Sequence, residues 1–328
     1  SGSYTISAKT ERKRPTWQLA ILENSPKCSK SSNNGGQKLS RASCKPMSSD
    51  SLKRYGAWIL LWLMAGCANT EIGIGPNGVQ GEAREHFLEL EAQDWQEEFY
   101  DKGTGDWHGK WSLDGLKATL TNSADGMNFL AGPVPRENAS HAVLWTRQSF
   151  TGDIKIEYEY TRTDEATQYV NILYIQATGS AELGLAKDIS KWANQRTVPA
   201  MSVYFGKMHT YHISYAAYGR TTATNNYDYI RARRYRPDLT PKKNGPILDS
   251  NTFEWTGLFA PGVPHQITVI KQGNELFMMI RNADKEYLCH WTNTDQPEIT
   301  EGAIGLRHMW TRSARYRNFS VSTLPDMR

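Results

Sequence analysis

The feature that most constrains this chain is a two-residue rhythm that returns repeatedly after about residue 140. In HAVLWTRQSF (141–150), His141, Val143, Trp145 and Arg147 fall on one face, and Ala142, Leu144, Thr146 and Gln148 on the other. In DIKIEYEY (153–160), Ile154, Ile156, Tyr158 and Tyr160 stand opposite Lys155, Glu157 and Glu159. YVNILYIQATG (169–179) is apolar on both faces, as a central strand is. HQITVIKQGNELFMMIRN (265–282) reads as two strands around a QGNE turn, and GAIGLRHMW and ARYRNFSVSTL supply two more. Turns rich in Gly, Asn and Asp punctuate these runs, and only AKDISKWANQR (186–196) resembles a helix, a short one. Many strands at regular spacing with few helices predict an all-β sandwich or barrel.

Upstream of this region lies SLKRYGAWILLWLMAGCANTEIG (51–73), which has the parts of an export signal in order. Lys53 and Arg54 precede an apolar run, Ala57 to Met64, and small residues then lead to Cys67. A membrane span needs about 20 apolar residues, so the run is too short to be one. Met47 is the first methionine, and a start there gives a signal peptide of ordinary length over 47–67. Residues 1–46 are expected to be a disordered or non-native upstream extension, and 68–85 a linker to a β domain spanning 86–324. LMAGC resembles the lipoprotein signal of bacteria, which implies lipidation at Cys67 and anchoring to a membrane at the cell envelope. Simple cleavage, giving a secreted or periplasmic protein, is the alternative.

Charge has to be read with that division in mind. The whole chain carries net +4, yet residues 1–54 hold 11 of its 38 Lys and Arg and only 3 of its 34 Asp and Glu. The remainder is net −4, so the basic balance gives no reason to expect a nucleic-acid partner. Cys28 and Cys44 fall upstream and Cys67 is the lipidation candidate, which leaves Cys289 alone and excludes a disulfide framework. Stability must come from a large core.

Family resemblance adds to this reading. WQEEFYDKGTGDW followed by WSLDG resembles the opening strand and turn of concanavalin-like jelly rolls, and GAIGLRHMWTRSARYRNFSV their closing strands, the last returning beside the first. GPVPRENASHAVLW, QSFTGDIKIEYEYTR, VNILYIQATG, HISYAAY and YDYIRARRYRP resemble the YesU-like family of bacterial jelly-roll proteins, over roughly residues 90–323. The resemblance implies a concanavalin/galectin-like jelly-roll sandwich of two antiparallel sheets with one short helix. It also implies a setting in polysaccharide use, without fixing an activity.

The residues suggest which carbohydrate chemistry to look for. Retaining glucanases of this fold place carboxylates on one strand as E-x-D-x-x-E, about 5 Å apart. No such strand occurs here, and Glu157 and Glu159 share their face with Lys155. A hydrolase would have to assemble its carboxylates from loops. Elimination from a uronate needs a Tyr or His base and a cation, amide or imidazole to neutralise the carboxylate. HTYHISYAAY places His209, Tyr211 and Tyr215 on one face and His212 on the other. His209, Tyr211 or His212 is therefore the candidate base, with Arg147 and Arg307 as charge neutralisers. His141, Trp145, Tyr174, Gln176, His308 and Trp310 are candidate substrate contacts. So are Arg231 and Arg233, from a run (229–237) that also holds Arg234 and Arg236, because guanidinium pairs bidentately with carboxylate or sulfate. The indoles of Trp107, Trp111, Trp145, Trp192, Trp255 and Trp310 are candidates for stacking on sugar rings, although some must be core.

No phosphate loop, nucleotide fingerprint, zinc motif or serine elbow appears. No cofactor or metal is expected, and NSADGMN (122–128) is too weak a cue to assign a structural calcium. The sequence thus points to an exported protein acting on an anionic polysaccharide, as a lyase before a hydrolase. A non-catalytic carbohydrate-binding lipoprotein and a purely structural envelope protein stand as alternatives.

Overall fold

The structure, a computed structural model, describes residues 74–325 apart from 76, 221–225 and 240–244. The upstream extension, the signal segment and Cys67 lie outside the described residues.

The two-residue rhythm forms strands wherever it occurs. In chain order they are β1 (Ile74–Gly75), β2 (Gly78–Val79), β3 (Gln96–Asp101), β4 (Trp111–Asp114), β5 (Thr119–Ser123) and β6 (Gly126–Leu130). Then follow β7 (Ala142–Thr151), β8 (Ile154–Arg162), β9 (Asn171–Gly179), β10 (Met208–Arg220), β11 (Asn226–Tyr235) and β12 (Ile247–Glu254). The last are β13 (Pro264–Gln272), β14 (Glu275–Arg281), β15 (Glu286–Thr292), β16 (Glu301–His308) and β17 (Ser313–Thr323).

They pair into two sheets. The larger has the order β1-β2-β15-β14-β13-β8-β17-β6-β5, with β3 also paired to β17. The smaller has seven strands in the order β12-β11-β10-β9-β16-β7-β4. Every pairing is antiparallel except that of β2 with β15. The last strand returns beside the opening one, with Phe319 opposite Asp101 and Val321 opposite Phe99. The fold is an all-β jelly-roll sandwich.

Alternation decides what lies between the sheets. Ile154, Ile156, Tyr158 and Tyr160 of β8 meet Leu173 and Ile175 of β9, Ile213 and Tyr215 of β10, and Leu306 of β16, all buried. This layer supplies the core that one free thiol, the buried Cys289, cannot supply through disulfides. Lys155, Glu157 and Glu159 face outward, Lys155 pairing with Glu157 at 3.2 Å and Glu159 with Arg317 at 4.0 Å. Those carboxylates are tied up on an outer strand face.

The helices differ from expectation. Residues 189–196 form 3-10 turns rather than one helix, because Trp192 breaks the helical backbone (φ −130°, ψ 30°). Its indole is buried and donates to the Ala186 carbonyl at 3.1 Å. Helix α1 (Glu82–Glu91) occupies a stretch read partly as linker, and β2, just ahead of it, already pairs with β15. Only Phe87 and Leu90 of α1 are buried, too few to give a helical period in the sequence. Tertiary contacts hold it: Arg84 pairs with Glu286, and Arg281 donates twice to Glu91 at 2.8 and 2.9 Å. Helix α2 (Met201–Phe205) is a single short turn on the outer side of the seven-stranded sheet.

Candidate functional site

The outer face of the seven-stranded sheet is where polar and aromatic side chains gather. Register sets them in two rows. The first runs Ser112, Trp145, Gly305, Tyr174, His212, Arg233 across β4, β7, β16, β9, β10 and β11. The second, two residues along each strand, runs Asp114, Val143, Arg307, Ile172, Ser214, Arg231. Glycine at 305 matters, since a Cβ there would meet the Trp145 ring at 2.5 Å. The indole lies over this gap and stacks on Tyr174 (5.4 Å, 13°), which stacks on Tyr204 (5.8 Å, 7°).

One end of this layer is anchored by a buried carboxylate. Asp114 Oδ2 accepts from Arg196 Nε at 2.7 Å, Trp145 Nε1 at 2.8 Å and Tyr204 OH at 3.0 Å. Burial raises the Asp114 carboxyl above its ordinary value, and Arg196 and the two neutral donors offset this only in part. Residues 189–205 are thereby fastened over the sheet.

The middle and far end are cationic. Arg307 is fully buried, donates to the Pro199 carbonyl at 2.7 Å and lies 4.5 Å from the Tyr204 ring centre. Its Nε and Nη1 have no partner among the described residues, and neither has the Nε of Arg231 or of Arg233. Arg233 Nη1 donates to the Gly245 carbonyl at 2.7 Å, and Arg231 lies 4.8 Å from the Tyr229 ring centre. No carboxylate pairs with any of the three among the described residues. His212 sits among them, its Nδ1 sharing a hydrogen bond with Tyr235 OH at 2.5 Å and its Nε2 one with Ser214 Oγ at 2.7 Å. Burial, then Arg233, Arg231 and Arg307, hold His212 well below its ordinary pKa, so the ring is neutral. Arg307 and His212 are covered, whereas Arg231, Arg233 and Tyr229 are half-buried. Access is from the β11 side.

Residues 106–321 match the family DUF1961, described as a domain of unknown function. The chain belongs to that family. A Bacillus subtilis protein of unknown function with a galectin-like fold is similar to this DUF1961 chain at 18% identity, with a TM-score of 0.51, covering 70% of this chain and 97% of that one. The likeness is one of fold. A carbohydrate-binding module, CBM66, from Bacillus subtilis aligns more loosely, at 12% identity and a TM-score of 0.38, covering 65% of this chain and 96% of that one. Lectin II from Ulex europaeus aligns at 7% identity and a TM-score of 0.44, covering 70% of this chain and 100% of that one. No curated protein matches the chain.

Of the expected site residues, the DUF1961 domain brings Trp145, Tyr174, His212, Arg231, Arg233 and Arg307 to one face. His141 and Trp310 adjoin them, edge to face at 4.2 Å, and His141 is brought down to about 2 by burial and then by Arg307. The other assignments change. Tyr211 points between the sheets, where Asn293 Nδ2 donates to its hydroxyl at 3.0 Å, so it is no base for a bound glycan. His308 is also internal, stacked on Phe129 at 4.3 Å and bonded to Tyr316 OH at 2.8 Å. Gln176 occupies a β-bulge with φ 50° and donates to the Gly152 carbonyl at 2.9 Å. His209 has the parity of Tyr211 rather than of His212, and lies 3.2 Å from Glu182. Arg147 lies within an irregular stretch of the β7–β16 pairing and is exposed, donating to the His108 carbonyl at 2.9 Å.

Among the indole candidates, Trp111, Trp145 and Trp192 are buried, Trp107 and Trp310 half-buried, and Trp255 is 57% exposed. The arginine run divides as well. Arg234 turns inward toward the Tyr211 ring, at 5.7 Å, and Arg236 pairs with Asp238. The weak calcium segment forms the β5–β6 hairpin, and no group of three metal-ligating side chains occurs among the described residues.

Sequence reasoning missed Ser214, Tyr235, Asp114, Arg196 and Tyr204. Alternation alone places Ser214 beside His212 and Tyr235 beside Arg233. Nothing local announces the Asp114–Arg196 pair, which joins residues 82 apart.

Proposed function

We propose that the outer face of the seven-stranded sheet binds an anionic carbohydrate, with Arg231 and Arg233 receiving its carboxylate or sulfate groups. The supporting observation is the cluster of three guanidiniums without carboxylate partners, gathered around a neutral imidazole and beside a stacked aromatic layer. An unpaired buried cation is costly, and an incoming anion would relieve that cost. Arg307 acts from behind, adding positive field to the site.

Binding fits this geometry better than cleavage, because both nitrogens of His212 are engaged and the ring is covered. The second reading is β-elimination from a uronate. It is favoured by the placement of neutral His212 and Tyr235 next to the guanidiniums that would neutralise the carboxylate. It requires the Pro199–Phe205 cover to move so that Arg307 and His212 meet substrate. We further propose export through the 47–67 segment, with a lipid at Cys67 holding the domain at the cell envelope.

Affinity electrophoresis against uronate-containing, sulfated and neutral polysaccharides tests the reading. Retardation by acidic glycans alone is expected. Retardation by neutral glycans alone, or by none, would overturn it. Ultraviolet absorbance of unsaturated products, read on the same mixtures, separates cleavage from capture.

A further inference from the structure

The anion site continues along β11 into a second cluster of a different kind. Tyr227, Tyr229, Arg231 and Arg233 alternate on the outer face, a track of about 20 Å at the usual rise of a strand. At its far end Trp255 is 57% exposed, the most exposed of the candidate indoles, with its ring 5.5 Å from that of Tyr227. Tyr227 lies over Gly219, where a Cβ would meet the phenol ring at 2.4 Å. Tyr229 stands between Tyr227, at 6.3 Å, and the Arg231 guanidinium, at 4.8 Å. The register partner of Tyr229 is Glu254, exposed on the same face. The track therefore runs from aromatic rings and a carboxylate at one end to guanidiniums at the other.

Trp255 is also held at a cost. Its backbone has φ 57°, a left-handed conformation that a bulky side chain rarely adopts. Its N–H donates to the Asp228 carbonyl at 2.9 Å, and Thr256 beside it bonds the Asp228 carboxylate. An exposed indole on a strained backbone gains little from burial, so folding alone does not account for it.

We infer that Trp255, Tyr227 and Glu254 form a subsite for an uncharged pyranose residue adjoining the acidic residue held at Arg231 and Arg233. This rests on the proposed anion site and narrows it. Indole and phenol faces take the C–H face of a sugar, and Glu254 accepts from its hydroxyls but repels a second carboxylate. The preferred ligand is thus a glycan in which acidic and neutral residues are linked, rather than one charged at every residue.

Calorimetric titration with hyaluronan oligosaccharides, in which uronate alternates with uncharged hexosamine, and with oligogalacturonates of equal length tests this. The intact protein should bind the alternating oligomer more tightly. Trp255→Gly should weaken that binding about five- to tenfold, leave the all-uronate affinity unchanged, and leave the unfolding midpoint equal or higher because glycine relieves the backbone. Unchanged binding of both oligomers by Trp255→Gly, with loss of both in Arg233→Gln, would overturn the subsite and keep the anion site. Tighter binding of the all-uronate oligomer would also overturn the subsite. Binding of neither oligomer by the unaltered protein would overturn both.

Discussion

Asp114 is the residue on which the outer layer depends. Three donors converge on one of its oxygens, and one of them is the buried Arg196. Replacing it with alanine leaves a buried guanidinium without its anion and orphans the indole and phenol donors. Asp114→Ala should therefore lower the free energy of unfolding by about 3–5 kcal/mol, measured by denaturant titration. Arg307 makes the opposite case. It is buried with two nitrogens unpartnered, so Arg307→Met should leave the denaturation midpoint unchanged or raise it. Anion affinity should nevertheless fall, because the positive field behind Arg231 and Arg233 is reduced. Single residues were legible in the sequence only where strand parity applied. His212, Arg231, Arg233, Trp145 and Tyr174 sit on the expected kind of face. Tyr211 and His308 have the same chemistry but the opposite parity, which turns them into the core.

At the scale of elements, bulges decide which side chains share a face. Opposite Thr210 and Ile304 strand β9 carries one extra residue, at Gln176, and β7 sets Thr146, Arg147 and Gln148 against Ile304 alone. That is why Gln176 leaves the face that strict alternation would share with Tyr174 and Arg147 lies exposed, whereas His209 stands apart from His212 by parity alone. A bulge has no dependable signature in one sequence, whereas the hairpin at Gln272–Glu275 was readable from its turn residues. Helix α1 was invisible for another reason: its stability comes from contacts with β14 and β15 rather than from its own pattern. Phe87, wholly buried and 6.0 Å from Phe277, carries much of that docking. Phe87→Ala should cost about 3–5 kcal/mol in denaturant unfolding. It should also raise amide exchange in α1 while leaving β9 and β10 protected.

For the whole molecule, buried histidines set the acid limit. His265 is brought down to about 4, His308 to about 3 and His141 to about 2, in each case chiefly by burial, and His212 lies well below its ordinary value. The unfolded chain takes up these protons near pH 6.5, and the folded one does not. Stability is therefore fully present above that pH and is lost as pH falls from about 6.5 toward 4, each histidine contributing up to about 1.4 kcal/mol per pH unit. The thermal midpoint should fall across that window, and a flat profile would contradict the burial described. The sandwich itself was legible because alternation, turns and a core without disulfides all required one. The site was half legible, since which face lies outward depends on the partner sheet.

The central claim is that Arg231 and Arg233 receive an anionic sugar on this outer face. Its most direct test is a calorimetric titration of a uronate oligosaccharide into the unaltered protein and into the double variant Arg231→Gln, Arg233→Gln. The account predicts saturable binding that weakens at least about tenfold in the variant, as expected for loss of two charge-assisted contacts, with an unchanged unfolding midpoint. Equal affinity in the two proteins, or no binding of any acidic glycan by either, would contradict it.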